Sequence, residues 1–244
     1  ASSLKHVDKF STIRVDYQAM ENGLQVGFQI EEMAVRVESL LKSIGLVNNF
    51  APIVYVIGHG ASSVNNPHYA AYDCGACSGR AGSVNARVIS QMANKPEVRA
   101  ILREKGIYIP ETTVFVGGLR DTTRDDVVFY DEQITFADYK IKHAEHVKLF
   151  AKALDMNAKE RSRRFESIDT SARASDIHEK IRIRSVSIFE PRPELNHATN
   201  ALCIVGRREL SKGVFLDRRS FLNSFDYRVD PDGTYLFNIL KAAA

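Results

Sequence analysis

The first ordered pattern along the chain is an amphipathic segment followed by a short apolar run. Apolar residues recur at helical spacing between Gln29 and Ile44, and Gly45 is a natural end for that helix. The run that follows, Ile53–Ile57, has no polar alternation. Continuous apolar character is typical of a strand in a parallel sheet, so we expect helices to cover both faces of this strand.

Helical and strand-like segments alternate through the rest of the chain. The pattern predicts helices over 85–93, 96–105 and 136–154, strands over 112–116, 126–130, 201–205 and 213–216, and a turn at 230–233. Such alternation favours an α/β fold over separate all-α and all-β parts. We therefore predict a mostly parallel sheet flanked by helices, in a single α/β region that spans residues 1–244.

A strongly charged stretch over residues 159–185 interrupts this pattern. It favours a solvated helical excursion, and the alternative is a docking surface for another chain or for acidic lipid headgroups. His143, His146 and His178 fall on polar helix faces, so we expect solvent around them. The following segment, 190–200, must be irregular at its start because its two prolines exclude a helix interior.

Composition narrows the class of protein. The 244 residues include 33 basic and 30 acidic side chains, and the net charge of +3 gives no support to nucleic-acid binding. No apolar run approaches the roughly 18 residues that span a bilayer, and the N-terminus is not a signal peptide. Three cysteines do not form a disulfide framework, which favours a reducing, cytosolic compartment. A start without Met and a helix-favouring end indicate a piece of something longer.

Candidate chemistry is concentrated where the first predicted strand ends. His59 lies between Gly58 and Gly60, and Cys74 follows fifteen residues later in a glycine-rich loop. Imidazole and thiolate suit Zn²⁺, and open α/β sheets bind ligands at the carboxyl ends of their strands. The residues also permit a structural histidine in a tight turn. This set is only part of a zinc site. Cys74 and Cys77 also permit a pair of structural thiols or a redox pair, although the motif does not open a helix after a thioredoxin-like strand.

Other candidate residues give weaker signals. His68 lies in a polar loop and could donate a hydrogen bond to a ligand, and His197 lies in a polar cluster just before a predicted strand. Cys203 lies in an apolar strand and is expected in the core. The chain has no Gly-x-Ser-x-Gly elbow and neither of the common glycine-rich nucleotide-binding motifs.

Several longer blocks resemble the DabA family. They are GHGASSVNNPHYAAYDCGACSGRAGSVNARVISQMAN, IPETTVFVGGLRDTTRDDVVFYD, RPELNHATNALCIVGRR and FLDRRSFLNSFD. The resemblance implies a fragment of the large soluble subunit of a two-component inorganic-carbon transporter, with a fold like that of β-carbonic anhydrases. It implies one zinc bound by two Cys, one Asp and one His. His59 and Cys74 match two of these ligands, and the family's other two belong to an upstream Cys-x-Asp-x-Arg segment that this chain lacks.

The resemblance also implies an activity and a partner. The intact protein is expected to hydrate CO₂ to bicarbonate at its zinc, on the cytoplasmic face of the inner membrane. The expected partner is a membrane subunit that resembles a proton-conducting subunit of respiratory complex I. Arg120-Asp121 departs from the His-Asn expected in many members. Two other readings stay open: a non-catalytic zinc-binding scaffold that docks on a membrane partner, and a thiol redox protein.

Overall fold

The computed structural model describes residues 13–62, 80–132, 139–189 and 200–243. In these ranges the strands are β1 (Ala19–Glu21), β2 (Leu24–Val26), β3 (Ile53–Gly60), β4 (Val114–Asp121), β5 (Asp126–Phe129), β6 (Leu202–Gly206) and β7 (Ser220–Ser224). The α-helices are α1 (Ile30–Ser43), α2 (Ser83–Asn94), α3 (Pro96–Glu104), α4 (Lys140–Ser162), α5 (Ala174–Ser185) and α6 (Thr234–Ala243). No helix among the described residues is both long and apolar enough to span a bilayer.

Contacts divide the described chain into two compact units. The first contains residues 53–62, 80–91, 114–132 and 139–189, and the second contains residues 14–52, 92–113 and 200–243. Both units combine helices with strands. The α/β character predicted from the alternation of segments is therefore confirmed.

A three-stranded sheet in the order β3-β4-β5 forms the centre of the first unit. Strands β3 and β4 are parallel, with Ile53 opposite Val114 and Gly60 opposite Asp121. Strands β4 and β5 are antiparallel. The prediction of a mostly parallel sheet is therefore wrong. Only four residues separate β4 from β5, a connection that permits a hairpin but not a crossover, and Asp125 completes the turn with φ +59°.

One face of this sheet packs against α4. Ile53, Val116 and Phe129 are buried there, with Tyr55 and Phe150 among the partly buried side chains that pack around them. Between its buried ends, however, β3 is only half-buried. Among the described residues β3 is an edge strand of this sheet, so the complete burial expected of a central parallel strand is not observed.

The charged stretch 159–185 comprises the end of α4, an irregular connection and α5. It has an apolar cluster of its own, formed by Ala158, Phe165, Ile168, Ile177 and Ile181. The helical character predicted for this stretch is confirmed, whereas the expectation of a stretch that is simply solvated is wrong. The charged residues obscured an apolar stripe that becomes continuous only when α5 folds back against α4.

In the second unit, helix α1 packs against α3. Met33, Val37 and Leu41 on α1 and Val98 and Leu102 on α3 are almost completely buried, as their helical spacing requires. The predicted bounds of α1, α2 and α3 are confirmed to within two residues at each end, whereas the helix predicted at 136–154 is found at Lys140–Ser162 and ends eight residues later. The short hairpin of β1 and β2 precedes α1.

Strands β6 and β7 form a separate parallel pair in the second unit. Leu202 and Phe221 are 57% and 46% exposed, and Cys203 is exposed as well. The predictions of a buried strand at 201–205 and of Cys203 in the core are therefore wrong. No strand forms at 213–216, whereas the turn at 230–233 is confirmed by a 3.2 Å hydrogen bond from Gly233 N to Asp230 O.

Candidate metal centre

His59 lies at the carboxyl end of β3, one residue before the strand ends. This placement was predicted from the sequence and is confirmed. In the parallel register His59 is opposite Arg120 of β4, so the two side chains project from the same face of the sheet. Arg120 forms an ion pair of 2.9 Å with the buried carboxylate of Asp125. The half-buried imidazole therefore lies beside a cation whose charge is already balanced.

Glycines allow the start of α2 to approach this strand end closely. The His59 carbonyl oxygen accepts a hydrogen bond of 2.7 Å from Gly82 N, directly before α2. A Cβ atom at Gly58 would overlap the backbone of Gly82, and one at Gly117 would lie 2.8 Å from the Cα atom of Arg87. These positions need glycine because backbone approaches backbone there. The helix N-terminus is thereby held against the strand end that carries His59.

Asp121, the last residue of β4, binds the backbone that follows β3 and the backbone that follows β4. It is 4% exposed and accepts hydrogen bonds from the backbone N–H and the hydroxyl of Ser62. Its carboxylate also accepts from the backbone N–H groups of Thr123 and Arg124, at 3.0 and 3.2 Å. These donors occupy the carboxylate, so its role is to anchor the chain after β3 and to close the turn after β4.

Both ends of the loop that contains Cys74 are therefore fixed at the same sheet edge. Ser62 is bound to Asp121 on one side, and Gly82 is bound to His59 on the other. Cys74 precedes Gly82 by eight residues, a stretch that reaches at most about 28 Å when extended. Cys74 itself lies outside the described ranges, so its pairing with His59 stays a prediction.

The other predicted loop residues also lie outside the described ranges: His68, Cys77 and His197. Among the residues that the structure does describe, no three His, Cys, Asp or Glu side chains converge as metal ligands. His59 and Cys74 would supply one nitrogen and one sulfur, a pair that suits zinc. Zinc takes three or four protein ligands. The two donors are of the right chemical type for zinc, but they are too few to hold it alone.

The helix histidines have a different environment from the one predicted. His143 and His178 are 7% and 4% exposed, and His146 is half-buried. His178 contacts the carboxylate of Asp155 at 2.6 Å through Nδ1. The expectation of solvated histidines is therefore wrong, because the sheet and the β4–β5 turn supply partners that a single helix pattern does not show.

The phenol of Tyr55 contacts two of the histidines of α4. Its Oη atom lies 2.9 Å from Nδ1 of His143 and 3.1 Å from Nδ1 of His146. Burial, and then the charge of Glu132, raises the pKa of Tyr55 to about 12. Sequence reasoning missed this cluster. The three-residue spacing of the histidines on one helix was the available signal, since it places both on the same face.

Comparison with known proteins places the chain in a family. The family model described as "Probable inorganic carbon transporter subunit DabA" matches residues 2–244. The chain belongs to the DabA family. Proteins with this printed name in Azotobacter vinelandii and Nitrosospira multiformis are 63% and 58% identical over 100% and 97% of the chain. A Sorangium cellulosum protein named as subunit DabA 2 is 47% identical over 88% of the chain.

The matches cover only part of these relatives. The chain spans 29%, 26% and 21% of the length of the three DabA proteins. No solved structure matches it. The resemblance to β-carbonic anhydrases therefore stays a prediction for this DabA segment.

Proposed function

We propose that this chain is part of the zinc-binding subunit of an energy-coupled inorganic-carbon transporter, and that the intact protein hydrates CO₂ to bicarbonate. The family match supports the transport role, because the relatives are named as transporter subunits. The observation that carries the site assignment is the position of His59 at the end of a parallel strand. The anchoring of the Cys74 loop at that same edge supports it further.

In this proposal His59 and Cys74 hold the metal together with a Cys and an Asp from a Cys-x-Asp-x-Arg segment of the full-length protein. A bound zinc supplies Lewis acidity, which lowers the pKa of water to about 7. The chain contributes orientation: the close approach of Gly58 to Gly82 fixes the strand exit that carries the imidazole. Half-burial of His59 keeps part of the site in contact with solvent.

The proposed setting is the cytoplasmic face of the inner membrane, where the subunit would bind peripherally. The word "subunit" in the names of the relatives implies an assembly. The proposed partner is a membrane protein that resembles a proton-conducting subunit of respiratory complex I. Hydration would thereby be coupled to the proton gradient.

Metal analysis tests the ligand assignment. Full-length protein should contain one zinc per chain, and His59→Ala or Cys74→Ala should remove it together with CO₂-dependent growth support. Cys77→Ala is the matched control, because it removes a thiol from the same loop and should retain zinc. Zinc retained in both ligand variants, or lost equally in the control, would refute the assignment. The isolated 244-residue chain should bind zinc weakly, because it carries two of the four proposed ligands.

A second candidate function is a docking scaffold without catalysis. The observation that favours it is the exposed pair of β6 and β7, since parallel strands are normally covered on both faces. In this reading the exposed apolar side chains, Leu202 and Leu222 on one face of the pair and Phe221 on the other, bind other parts of the assembly. Full-length protein that binds zinc and its partner but shows no CO₂ hydration would favour the scaffold over the enzyme.

A further inference from the structure

Four titratable side chains of the first unit form a continuous series of polar contacts. Glu132 Oε1 lies 3.0 Å from Nε2 of His143, and Nδ1 of His143 lies 2.9 Å from the phenolic oxygen of Tyr55. That oxygen lies 3.1 Å from Nδ1 of His146. Each separation is within hydrogen-bond range, so protons can occupy every link.

The chemistry of the groups determines which atom donates in each link. Ionised Glu132 only accepts, so His143 must donate through Nε2–H, and in the neutral imidazole its Nδ1 is then an acceptor. The Tyr55 hydroxyl then donates to that Nδ1. Its oxygen still has a lone pair to accept, so His146 donates to it through Nδ1–H. The Nε2 atom of half-buried His146 is left as the basic end of the series.

We propose that Glu132, His143, Tyr55 and His146 form a proton-transfer chain. A proton that binds Nε2 of His146 releases the Nδ1 proton of that ring to the Tyr55 oxygen. The phenolic proton then passes to Nδ1 of His143, and the Nε2 proton of His143 passes to Glu132. One proton enters and one carboxylate becomes neutral. Both rings and the phenol end neutral, with their hydrogen bonds reversed.

The surroundings favour transfer along the series over loss to water. The Tyr55 ring packs against Phe129 and Phe150, with centroid distances of 5.2 and 5.4 Å. His143 is 7% exposed and contacts the Phe129 ring by its edge. The other charged side chains on this turn of α4, Lys142 and Glu145, are exposed.

Tyr55 takes part as a neutral hydroxyl. Burial, followed by the charge of Glu132, raises the pKa of Tyr55 to about 12, so a phenolate is disfavoured. A hydroxyl that receives one proton while it gives another avoids that anion. A phenylalanine would fill the same space among the aromatic rings but would break the series at its centre.

The proton-transfer chain lies on the same sheet face as His59. Tyr55 and His59 project from the same face of β3, four residues or about 13 Å apart. CO₂ hydration releases one proton for each bicarbonate formed. The proton-transfer chain is therefore placed to take up that proton near the proposed zinc site. This assignment of purpose rests on the proposed function. The internal order of donors and acceptors does not depend on it.

Nitrogen NMR of histidine-labelled chain tests the proton order directly. We expect His143 protonated at Nε2 and His146 at Nδ1 near neutral pH, with signals assigned by their loss in single variants. In Tyr55→Phe, His146 should change to the Nε2–H form that solvated histidine favours. Tyr108→Phe, which removes an exposed hydroxyl, should change neither ring. An unmodified chain with His146 protonated at Nε2, or no change in Tyr55→Phe, would overturn the proposal.

A second variant separates proton transfer from folding. In His146→Asn the amide nitrogen takes the place of Nδ1 and can still donate to Tyr55, but it cannot pass a proton on. Full-length His146→Asn should fold normally and lose about tenfold or more in hydration rate at low buffer, with recovery in concentrated imidazole. An unchanged rate at low buffer would refute the assigned purpose. If unmodified protein shows no hydration, the proposed function fails, whereas the NMR result still decides the proton order.

Discussion

Replacement of Arg161 by methionine is expected to destabilise the first unit severely. The Arg161 guanidinium is fully buried and binds the fully buried carboxylate of Asp125 at 2.6 Å. It also donates to the carbonyl oxygens of Thr122 and Thr123, at 2.7 and 3.0 Å. Arg161 thus joins the end of α4 to the β4–β5 turn. Methionine fills much of the same volume but leaves the carboxylate and two carbonyl groups without this donor.

The magnitude follows from what the variant leaves unpaired. Removal of one partner of a buried ion pair costs about 3–5 kcal/mol. Asp125 keeps Arg120 at 2.9 Å and the amide of Asn157 at 2.6 Å, which places the expected loss near the lower limit, at about 3 kcal/mol. With a urea dependence of about 2 kcal/mol per molar, the unfolding midpoint should fall by about 1.5 M.

The assay is urea unfolding followed by far-ultraviolet circular dichroism. Arg164→Met is the matched control: its ion pair with Glu160 is partly exposed, and the expected loss is below about 1 kcal/mol. Arg161→Met combined with Asp125→Asn should be more stable than Arg161→Met alone, because the buried charge is removed. Asparagine also tolerates the left-handed backbone at this position. Equal midpoints for the Arg161 and Arg164 variants would refute the reasoning.

Three further predictions concern the strand end, an ion pair and the exposed sheet. Gly58→Ala should lower stability by about 1–3 kcal/mol and weaken zinc binding in full-length protein, since its Cβ atom overlaps Gly82; thermal unfolding and metal content that match wild type would contradict this. Burial disfavours the charged form of Asp126, yet hydrogen bonds from Arg124 and Arg182 outweigh burial and lower its pKa. The stabilisation by ionised Asp126 is present above the pKa of the carboxyl group in the unfolded chain, about 3.9, and is lost as pH falls through its lower pKa in the folded state. The stability deficit of Asp126→Asn should therefore disappear in acid. A deficit independent of pH would exclude this explanation. Cys203 should react with iodoacetamide in the 244-residue chain but be protected in full-length protein, as mass spectrometry of the labelled peptide would show; equal labelling would argue against a covered β6–β7 face.

Much of the local structure follows from short-range patterns. The apolar spacing of α1 predicted that helix to within one residue at each end. The glycines around His59 predicted a strand end at the correct place. These features depend on neighbouring residues, through helical periodicity and the backbone freedom of glycine, so one sequence is sufficient to predict them. The Cys74 assignment is of another kind, because it rests on family resemblance and stays a prediction.

The buried polar groups could not be predicted in this way. Arg161 and His143 lie in helix α4, whose charged residues indicate solvent, and both are buried because distant segments supply their partners. Asp125 is 36 residues from Arg161, and Tyr55 is 88 residues from His143. A buried charge or imidazole is tolerated only where such partners satisfy it. The sequence by itself determined helices α1, α2 and α3, strand β3 and the histidine at the end of that strand. Only the tertiary structure decided which polar side chains are buried, because that choice depends on contacts between segments far apart in the chain.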